Sequence, residues 1–252
     1  MLRAVYRLIS TGRGVGKTLL GERLVSYLRG KGVYVGVIKH VHSSIDLPGK
    51  DSERYLSAGA AQVVLASPHG SAVFNNIPLD SLDMALALLD PRIFLVIVEG
   101  FKRARMGKVI LVAKNVSDLK FFKDVYAVVS DSKEVLREAK KNFRTFSFDE
   151  AEKLAEEIYN DALEQVLNLL PRTDCDMCGL GSCRAFAVKF LRSEKSILEC
   201  PLKLDVRLEV DGNLVRLNPY VKKVFSEVLY SLVKTLKGVP EKPRKIVVKV
   251  EF

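Results

Sequence analysis

Two constellations in this chain have residue types and spacing that could do chemistry. The first is Thr11-Gly12-Arg13-Gly14-Val15-Gly16-Lys17-Thr18, which follows an apolar run and precedes a helical pattern. It fits G-x-x-x-x-G-K-[ST] except at its first position, where threonine replaces glycine. Phosphate oxygens need several backbone N–H groups converging on one concavity, and glycines let the main chain bend and approach closely. The helix that follows adds its positive end. Gly12, Arg13, Gly14, Val15 and Gly16 would cradle the phosphates, Lys17 would reach the terminal ones, and the Thr18 hydroxyl would ligate magnesium. The competing reading is a glycine-rich turn with no ligand. Leu95-Val96-Ile97-Val98-Glu99 is a buried-strand pattern ending in an acid, so Glu99 could complete the magnesium shell opposite Thr18.

The second constellation is Cys175-x2-Cys178-x4-Cys183-x16-Cys200, which holds all four cysteines of the chain. A disulfide framework would not cluster this way, so the four read as one metal site. Gly179, Gly181 and Ser182 would keep the loop tight and leave backbone N–H groups facing the metal-bound sulfurs. Phe186, Ala187, Phe190 and Leu191 recur at helical spacing and would shield one side from water. An iron–sulfur cluster suits this spacing. Zinc is the rival, although structural zinc sites usually present two short-spaced ligand pairs and only Cys175/Cys178 forms one.

The elements that must position these groups alternate. Strands are expected at 2–10, 33–38, 62–66, 94–98, 109–112, 124–129 and 143–147. Helices are expected at 18–28, 50–58, 79–89 (capped by Asp80 or Ser81) and from a cap at Asp149 to about 170. This order predicts an α/β fold of the P-loop NTPase kind, with a mainly parallel sheet covered on both faces. Behind it a small α+β iron–sulfur domain would add a hairpin turning at Asp211-Gly212-Asn213, a helix over 219–236 and a last strand over 245–252. The expected domains are 1–170 and 171–252.

The 252 residues are 48% hydrophobic and 28% charged, which suits a soluble protein with a real core. No apolar run approaches the ~20 residues of a membrane span. Arginines break the N-terminal apolar stretch, which does not read as a signal peptide, and a cytoplasmic location is expected. The net charge of +10 is spread along the chain, and no nucleic-acid module is visible. It reads as a solvated basic surface that attracts small anions, with no nucleic-acid or membrane partner expected.

Further blocks lie between the phosphate loop and Glu99. They are Ile38-Lys39-His40-Val41-His42, Asp46-Leu47-Pro48-Gly49-Lys50-Asp51-Ser52 and Ala58-Gly59-Ala60, followed by Glu99-Gly100-Phe101-Lys102. Together these resemble MobB, the GTP-binding protein of molybdopterin–guanine dinucleotide biosynthesis, over roughly residues 1–165. Many members carry a second histidine where Ser43 stands, and the segment from His42 to Asp46 is shorter here. The resemblance implies GTP with magnesium, weak or partner-stimulated hydrolysis, and a guanylyltransferase or molybdoenzyme as partner; a homodimer is possible. Lys17, Asp51 and Glu99 are the candidate catalytic residues, with Asp51 able to hold magnesium, position water or cap its helix. His40 and His42 would end a strand at the ligand crevice or be ordinary surface residues. No Asn-Lys-x-Asp motif is present, since Lys114-Asn115-Val116-Ser117-Asp118 does not match it. Asp131, after a late strand, could accept the N1 and N2 protons of guanine or cap the helix from Lys133. The cysteine segment resembles the single-cluster 4Fe–4S domain of electron-transport complex B subunits. Two other roles follow from the pairing: a nucleotide-gated redox module and a GTP-driven metallochaperone.

Overall fold

The computed structural model describes residues 3–41, 50–75, 79, 81–203, 206, 208–215, 217–240, 243 and 246–250. The chain divides into two compact units, Met1–Tyr159 and Asn160–Phe252.

In the first unit, six strands among the described residues form one parallel sheet in the order β2-β5-β1-β6-β7-β8. They are β1 (Ala4–Ile9), β2 (Val35–Lys39), β5 (Leu95–Glu99), β6 (Lys108–Val112), β7 (Val125–Val129) and β8 (Thr145–Phe146). Every residue of β1 is buried, and so are the first four of β5, because helices cover both faces. Helix α1 (Lys17–Gly30) follows β1 and buries Leu20, Leu24 and Leu28 at a spacing of four. Helix α4 (Lys133–Ala139) buries Val135 and Ala139, and α5 (Ala151–Leu167) buries Leu154, Ala155 and Ile158.

In this unit four expectations change. The strand expected at 62–66 forms as β3 (Gln62–Ser67), but it pairs antiparallel with β4 (Gly70–Asn75) in a separate hairpin. Its turn is built by Ser67, whose hydroxyl donates to Gly70 O (3.0 Å) and accepts from His69 N (3.2 Å). The helix expected over 79–89 contracts to α3 (Leu82–Ala87), capped by Ser81, while α2 (Lys50–Ser57) forms as expected. The strand expected over 143–147 is two residues long. The cap before α5 belongs to Ser147, which shares a capping box with Glu150 and leaves Asp149 inside a 3-10 turn.

The second unit contains α6 (Cys183–Leu191), the hairpin of β9 (Leu208–Val210) and β10 (Asn213–Val215), and α7 (Pro219–Lys234). Asp211 and Gly212 both have positive φ (49° and 77°), as a type I′ turn requires. Asn218 caps α7 by accepting from Val221 N. The terminal strand expected over 245–252 is absent from its described part, residues 246–250. Among the described residues no helix is long and apolar enough to cross a membrane.

Candidate functional site

The phosphate loop runs from the carboxyl end of β1 into α1, at the edge where open α/β sheets bind ligands. Gly14 (φ 67°) and Gly16 (φ 90°) occupy the left-handed region. Gly16 is also the cap of α1, and a Cβ there would lie 2.7 Å from the Phe148 ring, so glycine is required twice over. Lys17, the first residue of α1, donates to Ser10 Oγ (2.7 Å) and Gly12 O (3.2 Å). Thr18 Oγ1 donates to Glu99 Oε2 at 2.9 Å. A hydroxyl and a carboxylate so placed are hard oxygen donors that suit a magnesium ion, which would neutralise phosphate charge there. Two further lysines converge: Lys39 Nζ lies 3.6 Å from Glu99 Oε2, and Lys102 Nζ donates to Thr11 O at 3.3 Å. Burial lowers the pKa of Lys17; Glu99 opposes this, and the charges of Lys102 and Lys39 add to the lowering.

In the second unit Cys175, Cys178, Cys183 and Cys200 line one pocket with Leu170 and Phe186. No disulfide links them. Cys183 opens α6, which Ser182 caps by accepting from Ala185 N, and Phe186, Ala187 and Leu191 are buried. Phe190 is only half-buried. Cys200 is the buried member, held between two 3-10 turns. Two of the amides expected to face the sulfurs, those of Gly179 and Gly181, are bonded within the loop. Gly181 N and Cys183 N donate to Asp176 Oδ1 and Asp174 Oδ1 (2.6 Å each), and Gly179 N donates to Asp176 O. Asp174 and Asp176 have positive φ, so the acids that flank Cys175 shape the loop. Among the described residues no group of three or more His, Cys, Asp or Glu is arranged to hold a single metal ion.

Residues 7–131 match the family model described as MobB, molybdopterin guanine dinucleotide synthesis protein B. A molybdopterin-guanine dinucleotide biosynthesis adapter protein of Escherichia coli is 35% identical over 128 residues, 47% of this chain and 73% of that protein. The chain belongs to the MobB family. A "Putative molybdopterin-guanine dinucleotide biosynthesis adapter protein" of Methanocaldococcus jannaschii is 27% identical over 242 residues, covering 94% of this chain and 93% of that one. The crystal structure of a molybdopterin-guanine biosynthesis protein B (mobB) superposes with a TM-score of 0.50 and 29% identity, over 62% of this chain and 98% of that one. Residues 170–202 match a second family model, described as "Putative Fe-S cluster".

This MobB-family chain brings Lys17, Thr18 and Glu99 together, with Gly12 and Arg13 exposed at the loop and Val15 half-buried. Asp51 falls in α2, but its side chain lies outside the described residues, as does His42. His40 is not turned out as a simple surface group. Its ring stacks on Phe101 (4.4 Å, 20°), its N–H donates to Glu99 O, and a Cβ on Gly100 would meet His40 Cβ at 2.8 Å. Phe101 itself has φ 49°, and buried Arg7 donates to its carbonyl (3.0 Å), so Gly100-Phe101 is a turn held from beneath. Asp131 stands exposed after β7, and Ser132 is the residue that caps α4.

Sequence reasoning gave no role to Lys39, Lys102 or Asp118. Asp118 is 5% exposed, and it accounts for threonine at position 11: Thr11 Oγ1 donates to Asp118 Oδ1 (2.7 Å), which glycine could not do. The other oxygen accepts from Lys114 N (2.8 Å) and Asn115 N (3.0 Å). The legible signal was the Asn115…Asp118 capping box. Burial alone would raise the Asp118 pKa, but the hydrogen bonds from Asn115, Thr11 and Lys114 outweigh it and the net shift is downward. A depressed folded-state pKa contributes stability that is complete above the unfolded value near ~4 and is lost as pH falls through the lower folded one. Asp118→Asn is therefore expected to cost about 1–3 kcal/mol at neutral pH, with the difference from wild type shrinking below about pH 4. Denaturant unfolding of both proteins between pH 2.5 and 7 checks this; a pH-independent difference would contradict it.

Proposed function

We propose that this MobB-family chain is a GTP-binding adapter in molybdopterin guanine dinucleotide synthesis, acting in the cytoplasm, whose second unit carries a 4Fe–4S cluster. The observation that carries the reading is the convergence of Lys17, Thr18 and Glu99 at the carboxyl ends of β1 and β5. Backbone amides of the loop and the start of α1 would bind phosphate, with Lys17 on the terminal groups. Thr18 and Glu99 would hold magnesium. Asp51, a residue of α2, would orient a hydrolytic water in a weak or partner-stimulated GTPase. The adapter role follows the names of its relatives, and a guanylyltransferase or molybdoenzyme is the partner that role implies. Self-association would use the β3–β4 hairpin, where Val64 and Val73 are more than half exposed. The domain assignment 1–170 and 171–252 belongs to the same proposal. All four thiols line one pocket and only Cys175/Cys178 forms a short-spaced pair, which supports a cluster over a single zinc ion.

Guanine recognition is assigned to Asp131. Its carboxylate would accept both the N1 and N2 protons, and an amide cannot. Asp131→Asn is expected to lower the preference for GTP over ATP roughly tenfold or more. Competition of the two nucleotides against a fluorescent GTP analogue reads that ratio. Equal affinities in the wild type would remove the base assignment and leave the phosphate site standing.

A further inference from the structure

Lys39 ends β2 in register with Glu99, its Cα partner on β5. Its ammonium lies 3.6 Å from Glu99 Oε2 and 3.4 Å from Thr18 Oγ1, and these two oxygens are themselves hydrogen-bonded at 2.9 Å. The three atoms form a closed triangle, with a cation resting on the two oxygens that suit a divalent metal. We propose that Lys39 is the resident counter-ion of the Thr18–Glu99 pair, that it must leave when a divalent cation arrives, and that it thereby sets the metal concentration at which nucleotide binds. The inference rests on the nucleotide reading of the loop.

A metal bound to both oxygens at the ~2.0–2.1 Å of magnesium coordination would stand within a few ångströms of the ammonium, where like charges repel strongly. The side chains differ in freedom: Glu99 is 19% exposed and Lys39 52% exposed. The carboxylate therefore stays while the ammonium swings outward. The backbone limits how far it goes, because the β2–β5 pairing and the bond from His40 N to Glu99 O (2.9 Å) fix the Cα of Lys39 beside the site. Displaced from Glu99, the ammonium joins Lys17 and Lys102 around the loop, where a phosphate chain would compensate all three charges. Without metal, Lys39 keeps the carboxylate from repelling nucleotide. With metal, it becomes a phosphate contact.

Lys39→Met removes the charge and keeps most of the unbranched side chain. Two titrations test it on the full chain: manganese binding without nucleotide, read by electron paramagnetic resonance, and calorimetry of a non-hydrolysable GTP analogue in EDTA and across a magnesium series. The variant is expected to bind manganese about fivefold tighter and to reach half-maximal nucleotide binding at about fivefold lower magnesium. In EDTA its nucleotide affinity is expected to fall about tenfold. An unchanged manganese affinity in a variant with wild-type circular dichroism overturns the proposal. If the wild type binds manganese but no nucleotide under any condition, the GTP reading fails, and the manganese comparison still decides the role of Lys39.

Discussion

Lys17→Ala is expected to weaken GTP binding about a hundredfold or more while leaving the fold intact. The lysine makes two contacts, to Oγ of buried Ser10 just after β1 and to Gly12 O in the loop. Neither joins the buried sheet, and removing the charge relieves repulsion from Lys39 and Lys102. Stability should therefore change little. Binding should change greatly, because an ammonium on terminal phosphates makes charge-assisted hydrogen bonds worth about 1.5–3 kcal/mol each, and two of them exceed the ~2.7 kcal/mol of a hundredfold loss. Calorimetric titration with GTP and magnesium, beside thermal unfolding of the same samples, reads both sides. Unchanged affinity would mean that the loop is a turn without a ligand.

The second large effect concerns the cysteines. Any one of Cys175→Ser, Cys178→Ser, Cys183→Ser and Cys200→Ser is expected to reduce bound iron from about four per chain to near zero, and to loosen the second unit. Between Pro171 and the end of the chain, the buried apolar side chains among the described residues come chiefly from α6: Phe186, Ala187 and Leu191. So small a core would gain order from a group bound by its thiols. Cys200→Ser should be the most damaging, since it replaces the buried thiol. Iron and acid-labile sulfide on anaerobically prepared protein, with visible absorption, measure the first effect, and limited proteolysis beyond residue 170 measures the second. GTP affinity should be unaffected. A colourless wild type with one zinc per chain would reverse the assignment.

What the sequence made legible follows how local each signal is. The runs that became β1 and β5 were readable because strands buried on both faces are apolar throughout. The phosphate loop and the cysteine spacing were readable because short stretches carry their own geometry. The β3–β4 hairpin was missed for a similarly local reason: Ser67-Pro68-His69-Gly70 is a side-chain-built turn without the usual Asn-Gly signal. Asp149 drew the capping role because an acid before a helix is a common cap, whereas Ser147 and Glu150 share it. Other features depend on tertiary neighbours. Thr11 and Asp118 are 107 residues apart. Lys39 and Lys102 sat in recognisable blocks, but their meaning depends on strand order: β5 lies between β1 and β2, so the ends of all three meet. In the cysteine loop the Gly179 and Gly181 amides bond to Asp176, a contact that depends on how the acid beside Cys175 turns.

The nucleotide reading makes Gly12–Thr18 a phosphate site completed by Glu99. The most direct test is a crystal structure of the chain with magnesium and a non-hydrolysable GTP analogue. The β- and γ-phosphates are expected on the backbone amides of residues 14–18 and on Lys17 Nζ, with the metal held by Thr18 Oγ1 and the Glu99 carboxylate and Lys39 turned away from that carboxylate. A nucleotide bound elsewhere, or an empty loop at saturating analogue, would contradict it.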